Sequence, residues 1–299
     1  MCDEQDSETT CRDLPGTCNV ALANTDSSIA AAWLTSLRSF FRVVPLFVVS
    51  RPKTPLRVLC VMAFDTLHVF LLARRMPRRE LRMLALLLDF GASANAYVDR
   101  KEFSRREYQS VRRLLNEEGM GPLTTEYFTR LRTLERGRPS MGDIPAHARS
   151  YREAVVRLSL AACATATSCT PTIEDGILAT SGDSDLNILY RIVMQCQILD
   201  DIIDYQKDLL IGLPGFLTGG RSLWQSLDLT GEASTGYANV CNSSVTMRTS
   251  PFRVALSLVT TLTRLALKLR RWCPDSFAKT VTEAPCQESF LFNRSDKNR

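Results

Sequence analysis

The sequence predicts an all-α fold, a single bundle of about eight to ten helices. Three observations carry that reading. Apolar residues recur at helical spacing along most of the chain, with no convincing period-2 strand and no internal repeat. Glycine (14) and proline (13) are too few in 299 residues for a turn-rich β-sandwich. A composition of 45% apolar and 23% charged residues is that of a globular chain, which excludes whole-chain disorder, collagen and a coiled-coil rod.

The elements follow in order. Residues 1–27 are polar and aperiodic and read as a disordered tail. Asp26 is a plausible N-cap for a first helix over 28–48, kinked near Pro45. After SRPKTP, a second helix is predicted over 55–75, and Pro77 fits the first turn of a third that runs to about Lys101. Ser104 and Glu107 have capping-box spacing and start a fourth helix that ends at Gly119. A fifth follows over 122–136, and GRPSMGDIP is a loop. The sixth, over 146–169, runs from Tyr151 and Arg152 into the small-residue stretch LSLAACATATS. A short helical piece is predicted at 172–179, then a long helix over 185–211, a weak one over 222–243 and a last one over 251–272. The domain thus spans 28–273, and residues 274–299 read as a second disordered tail.

The net charge of +5 suits a small anionic ligand better than nucleic acid. None of the ten cysteines forms a CxxC and only two histidines exist, so zinc-ligand spacing is absent. Cys60, Cys163 and Cys196 fall inside apolar helical patterns and read as small core residues of a reducing cytoplasm. MCDEQDSETT has no basic n-region or apolar h-region of a secretory leader. The longest apolar run, 43–49, is far short of the ~20 residues that span a bilayer, so no transmembrane segment is expected.

The segment YRIVMQCQILDDIIDYQKDLLIGLPGFLT, residues 190–218, carries the most chemistry. At ~100° per residue, Asp200, Asp204, Asp208 and Asp201 fall within about 100° of arc, with Gln197 in the middle. Ile198, Leu199, Ile202, Ile203, Leu209 and Leu210 occupy the opposite side. A solvated acidic face would explain the arc. Two features argue against it: only Lys207 offsets four negative charges, and the flanks are apolar all round, as in a helix inside a bundle. Carboxylates inside a bundle need cations, and oxygen-only donors favour Mg²⁺ or Mn²⁺. Because Mg²⁺ takes few carboxylates and prefers phosphate oxygens beside them, a diphosphate attached to a hydrocarbon is the implied substrate.

At these residues the chain resembles class I isoprenoid synthases. QILDDIID (197–204) is similar to the second aspartate-rich motif of trans-polyprenyl diphosphate synthases, FQxxDDxxD. Asp204, Asp208, Gly212 and GLPGFL resemble the matching stretch of squalene and phytoene synthases. Asp200, Asp204 and Asp208 overlay the i, i+4, i+8 metal motif of terpene cyclases, with Lys207 where a lysine often precedes the last acid. The resemblance covers about twenty residues and implies the isoprenoid synthase fold, with a metal-dependent site between helices.

Such families carry a first acidic motif on an earlier helix. LLLDFGASANAYVDRKEF (86–103) offers Asp89 and Asp99 beside Gly91, Ala92 and Ala96, but no DDxxD. Close helix packing would also explain the small residues. Diphosphate needs basic donors, for which Arg152 and Arg157 stand ahead of the acidic helix, with Tyr151 in the region resembling a prenyl channel. Arg191 points away from the Asp arc, and Arg271-Trp272 is a candidate counterpart of a C-terminal basic–aromatic pair.

The expected activity is Mg²⁺- or Mn²⁺-dependent ionisation of a prenyl diphosphate with a terpene-cyclase-like outcome. Asp200, Asp204 and Asp208 are its expected catalytic acids, and Asp89, Asp99 and Asp201 complete the expected metal set. Gln197, Lys207, Tyr151, Arg152 and Arg157 are the expected substrate-binding residues. The alternatives are a prenyl transferase and a non-catalytic isoprenoid-binding or regulatory subunit. A homodimer is a candidate assembly.

Overall fold

The computed structural model describes residues 17–50, 55–98, 104–140, 145–169, 173–174, 177–178, 185–239 and 250–272. The ten helices among them are α1 (Thr17–Ser50), α2 (Pro55–Leu72), α3 (Arg78–Val98), α4 (Arg105–Glu117), α5 (Gly121–Arg136), α6 (Pro145–Ala166), α7 (Asp185–Ile203), α8 (Tyr205–Ile211), α9 (Leu223–Ala238) and α10 (Ser250–Trp272). Two dipeptides, β1 (Ile173–Glu174) and β2 (Ile177–Leu178), pair antiparallel where a short helical piece was expected. The fold class is therefore all-α.

Six helices close a ring. α1 packs on α2, α2 on α3, α3 on α6, α6 on α7, α7 on α10, and α10 returns to α1. α4 and α5 cover the α3–α6 side, and α9 covers the α7–α10 side. One core runs through the ring, from Phe64 and Leu67 on α2 through Leu84 and Phe90 on α3 to Leu160 on α6, Met194 and Ile198 on α7 and Leu256 on α10.

Local chemistry sets the ends. The Ser104 hydroxyl accepts from the Glu107 N–H, and the Ser222 hydroxyl from the Gln225 N–H, so α4 and α9 start with side-chain caps. Gly212 ends α8 in the left-handed region (φ 70°), where only glycine is unstrained. Arg191 donates to the carbonyls of Gly236, Tyr237 and Asn239 and closes the C-terminal end of α9. Polar staples bind the ring. The buried Asp65 on α2 takes Arg42 of α1 at 2.8 Å, and Arg42 also donates to the Met76 carbonyl. Gln195 on α7 and Ser234 on α9 exchange two hydrogen bonds.

Two boundaries differ from the sequence reading. α1 begins at Thr17, inside the stretch read as a tail, and keeps Pro45 within it. The helix expected over 185–211 breaks at Asp204, which caps α8. Residues 1–16 and 273–299 lie outside the described residues.

Candidate functional site

A cavity of about 240 Å³ opens inside the ring, between α2, α3, α5, α6 and α7. Its walls are apolar: Leu87 and Leu88 on α3, Val155, Val156 and Leu160 on α6, and Val193 on α7. Five polar side chains interrupt them, namely Arg57, Asn95, Tyr127, Ser159 and Gln197. Gly91 and Ala92 make room on α3. Indeed a Cβ on Gly91 would come within 3.3 Å of the Tyr127 hydroxyl.

Apart from Arg57, the ionisable side chains of the wall are held neutral. Tyr127 shares a hydrogen bond with Ser159 at 3.2 Å, and burial pushes its phenol up to about 12. Burial also pushes the Cys60 thiol up to about 12, reinforced by Cys196, and holds Cys163 well above its ordinary value. These thiols carry no thiolate at neutral pH and supply no nucleophile.

The charged group nearest the wall is Arg57, which pairs with Asp89. Sequence reading found Asp89 and missed Arg57. The signal was present: Arg57 is the one arginine or lysine in the apolar helix PLRVLCVMAFDTLHVFLL. Asp99, the other expected acid of that wall, lies outside the described residues.

The acidic motif divides in two. Asp201 is buried at 4% exposure, accepts from Arg152 at 3.2 Å and takes the Phe216 N–H at 2.6 Å. Burial raises its carboxyl to about 6; Arg152 and the Phe216 N–H pull the other way, and Asp208 and Asp200 add to the rise. The GLPGF turn after α8 makes this clamp, because a Cβ on Gly215 would stand 2.5 Å from the Asp201 carboxylate. Asp208, seven residues or two turns on, is buried as well.

Asp200 and Asp204 face otherwise. They lie one turn apart, the Asp204 N–H donating to the Asp200 carbonyl at 2.8 Å. Asp200 is exposed and Asp204 half-buried. Val193 and Gln197, which line the cavity, precede them along the same ridge of α7 by helical spacing.

Of the six expected metal carboxylates, the five that are described do not form one cluster. Among the described residues no group of three His, Cys, Asp or Glu side chains could hold a metal ion. The physical reason is that Asp201 and Asp89 already have arginine partners on α6 and α2. Asp200 and Asp204, one helical turn apart, supply two carboxylates, a number that fits a Mg²⁺ drawing its other ligands from phosphate and water.

Arg152, Arg157 and Tyr151, three of the expected substrate-binding residues, have protein partners. Arg152 is used by Asp201. Arg157 pairs with Glu153 at 3.0 Å and stacks over Tyr190, and Tyr151 donates to Glu135. Lys207 is exposed on α8. Arg271 pairs with Asp228 on α9, and Trp272 is 81% exposed, so neither lines this cavity.

Comparison with known proteins yields no matching family model, no matching curated protein and no matching solved structure.

Proposed function

We propose that the protein is a class I isoprenoid-synthase-like enzyme that ionises a prenyl diphosphate, with a terpene-cyclase-like outcome. One observation carries the reading: the ridge of α7 that lines a largely apolar cavity with Val193 and Gln197 continues into the acid pair Asp200 and Asp204. That order joins a place for hydrocarbon to a place for a metal–diphosphate head. Asp200 and Asp204 would hold Mg²⁺ or Mn²⁺, and such an ion neutralises charge developing on the departing diphosphate. Leu87, Leu88, Val156 and Leu160 exclude water around the chain, and the raised Tyr127, Cys60 and Cys163 leave no anion in the cavity to capture a carbocation. Arg57, held by Asp89, offers a guanidinium to the diphosphate at the cavity wall. At about 240 Å³ the cavity is below the ~300 Å³ of ordinary ligand pockets, which favours short allylic chains.

A second reading has its own observation. Asp201 and Asp89 are neutralised by Arg152 and Arg57, so a prenyl-binding subunit without turnover also suits the site. One experiment separates the readings. The purified protein is incubated with Mg²⁺ and geranyl, farnesyl or geranylgeranyl diphosphate, with and without isopentenyl diphosphate, and diphosphate release and extracted products are measured. The enzyme reading expects release from a single allylic diphosphate, fastest with the shortest chain, and its loss in Asp204→Ala. Elongated products that require isopentenyl diphosphate would make it a transferase. Saturable binding without release would make it a binding subunit, and neither binding nor release would end the isoprenoid reading.

A further inference from the structure

The outer surface of α1 and α10 has no role in the cavity. On α10, Val254, Leu258, Leu262, Leu265, Leu269 and Trp272 are all exposed, at successive spacings of four, four, three, four and three residues. They form one stripe within about 80° of arc and ~27 Å long. On α1, Trp33, Leu34, Leu37, Phe40 and Phe41 form a second exposed stripe, Phe41 at 66%. The two stripes meet at one end. α1 packs on α10, and Trp33 of one with Val254 and Leu258 of the other lines an apolar groove of about 250 Å³. An apolar face of this extent marks an interaction site.

Charge identifies the occupant. α10 carries five arginines and lysines and no Asp or Glu of its own; Arg270 is buried and Arg271 is paired with Asp228 of α9. α1 contributes Arg38 and Arg42 against the single Asp26. Arg42 is used by Asp65, but Arg38, Arg264 and Lys268 are exposed beside the stripes. A second copy of the chain, docked on this face about a two-fold axis, would bring the same cation-bearing helices together, and neither α10 would offer an acid to pair them. Among the described residues no helix is long and apolar enough to cross a membrane, so α10 would lie on a surface rather than span it. An apolar stripe with aromatic residues and flanking cations, on a helix that carries no acid, matches an anionic lipid surface.

We propose that the α1–α10 face docks the protein on an anionic lipid bilayer. The aliphatic and aromatic stripes enter the headgroup–acyl boundary, and Arg38, Arg264 and Lys268 meet lipid phosphates and carboxylates. The proposal does not depend on the function of the cavity.

The test is co-sedimentation of the full chain with vesicles of phosphatidylcholine alone and of phosphatidylcholine with phosphatidylserine, at low and high salt. Binding is expected to the mixed vesicles, weaker on neutral ones and weakened by salt. Trp33 and Trp272 should be quenched by lipids brominated near the headgroup end of the chain. Leu262→Glu with Leu265→Glu should lower partitioning at least about tenfold. Arg264→Glu with Lys268→Glu should remove the preference for phosphatidylserine. All four side chains are exposed, and circular dichroism checks that the variants stay folded. No binding to mixed vesicles by the folded protein, or binding unchanged in the folded variants, would overturn the proposal. So would a dimer in sedimentation velocity that Leu265→Glu dissociates while vesicles capture nothing, since the face would then belong to a second copy.

Discussion

Asp201→Asn measures how the buried acid of α7 is balanced. Burial raises its carboxyl from 3.8 to about 6, although Arg152 and the Phe216 N–H oppose the rise. The folded state therefore holds the Asp201 proton more tightly than the unfolded chain. Stability from this group is fully present below pH ~4 and is lost as pH rises through about 6. A rise of about two units at ~1.4 kcal/mol each amounts to roughly 3 kcal/mol. Asparagine keeps an oxygen for the Phe216 N–H but has no proton to lose. Other titrating groups are common to both proteins and largely cancel in the difference. Urea denaturation of both at pH 4, 5, 6 and 7 should show the variant gaining roughly 2.5 kcal/mol of that relative to wild type between pH 4 and 7. Whatever fixed cost Arg152 incurs on losing its partner adds an offset and does not reproduce a decline that runs between pH ~4 and ~6 and then levels off. A difference that stays flat with pH, or shifts toward the wild type, would refute the reasoning, because the arginine would then outweigh burial.

Two further outcomes follow from contacts already described. Gly215→Ala places a Cβ 2.5 Å from the Asp201 carboxylate and 3.3 Å from Arg152, so the GLPGF turn must shift; a loss of about 1–3 kcal/mol in urea denaturation is expected. Ser104→Ala removes the hydroxyl that caps α4 and should cost about 1 kcal/mol, read as a lower urea midpoint with unchanged slope.

The acidic motif shows where sequence periodicity stops informing. A wheel places Asp200, Asp201, Asp204 and Asp208 on one arc and treats that arc as one environment. In the structure its edges part. Asp201 and Asp208 turn into buried surroundings beside the GLPGF turn, while Asp200 and Asp204 continue the ridge from the cavity. Two events cause this, and neither is local: the helix breaks at Asp204, and the chain after Gly212 folds back so that the Phe216 N–H reaches Asp201. Arg57 and Asp89 repeat the lesson, because residues 32 positions apart meet only when α2 lies on α3.

By itself the sequence determined the helical class, the Ser104 cap, most helix extents and the density of acids near 200. These depend on 3.6-residue periodicity and on hydrogen bonds within a few residues. Tertiary structure alone decided which acids acquired arginine partners, where the cavity lies and which apolar stripes stay outside. Each of those outcomes rests on helices far apart in the chain meeting at particular faces. Trp33 and Leu258 have ordinary core-like spacing in the sequence, and only the closure of α10 onto α1 leaves both beside the same open groove. Periodicity states that a helix has an apolar face; the packing of the other helices decides whether that face is covered.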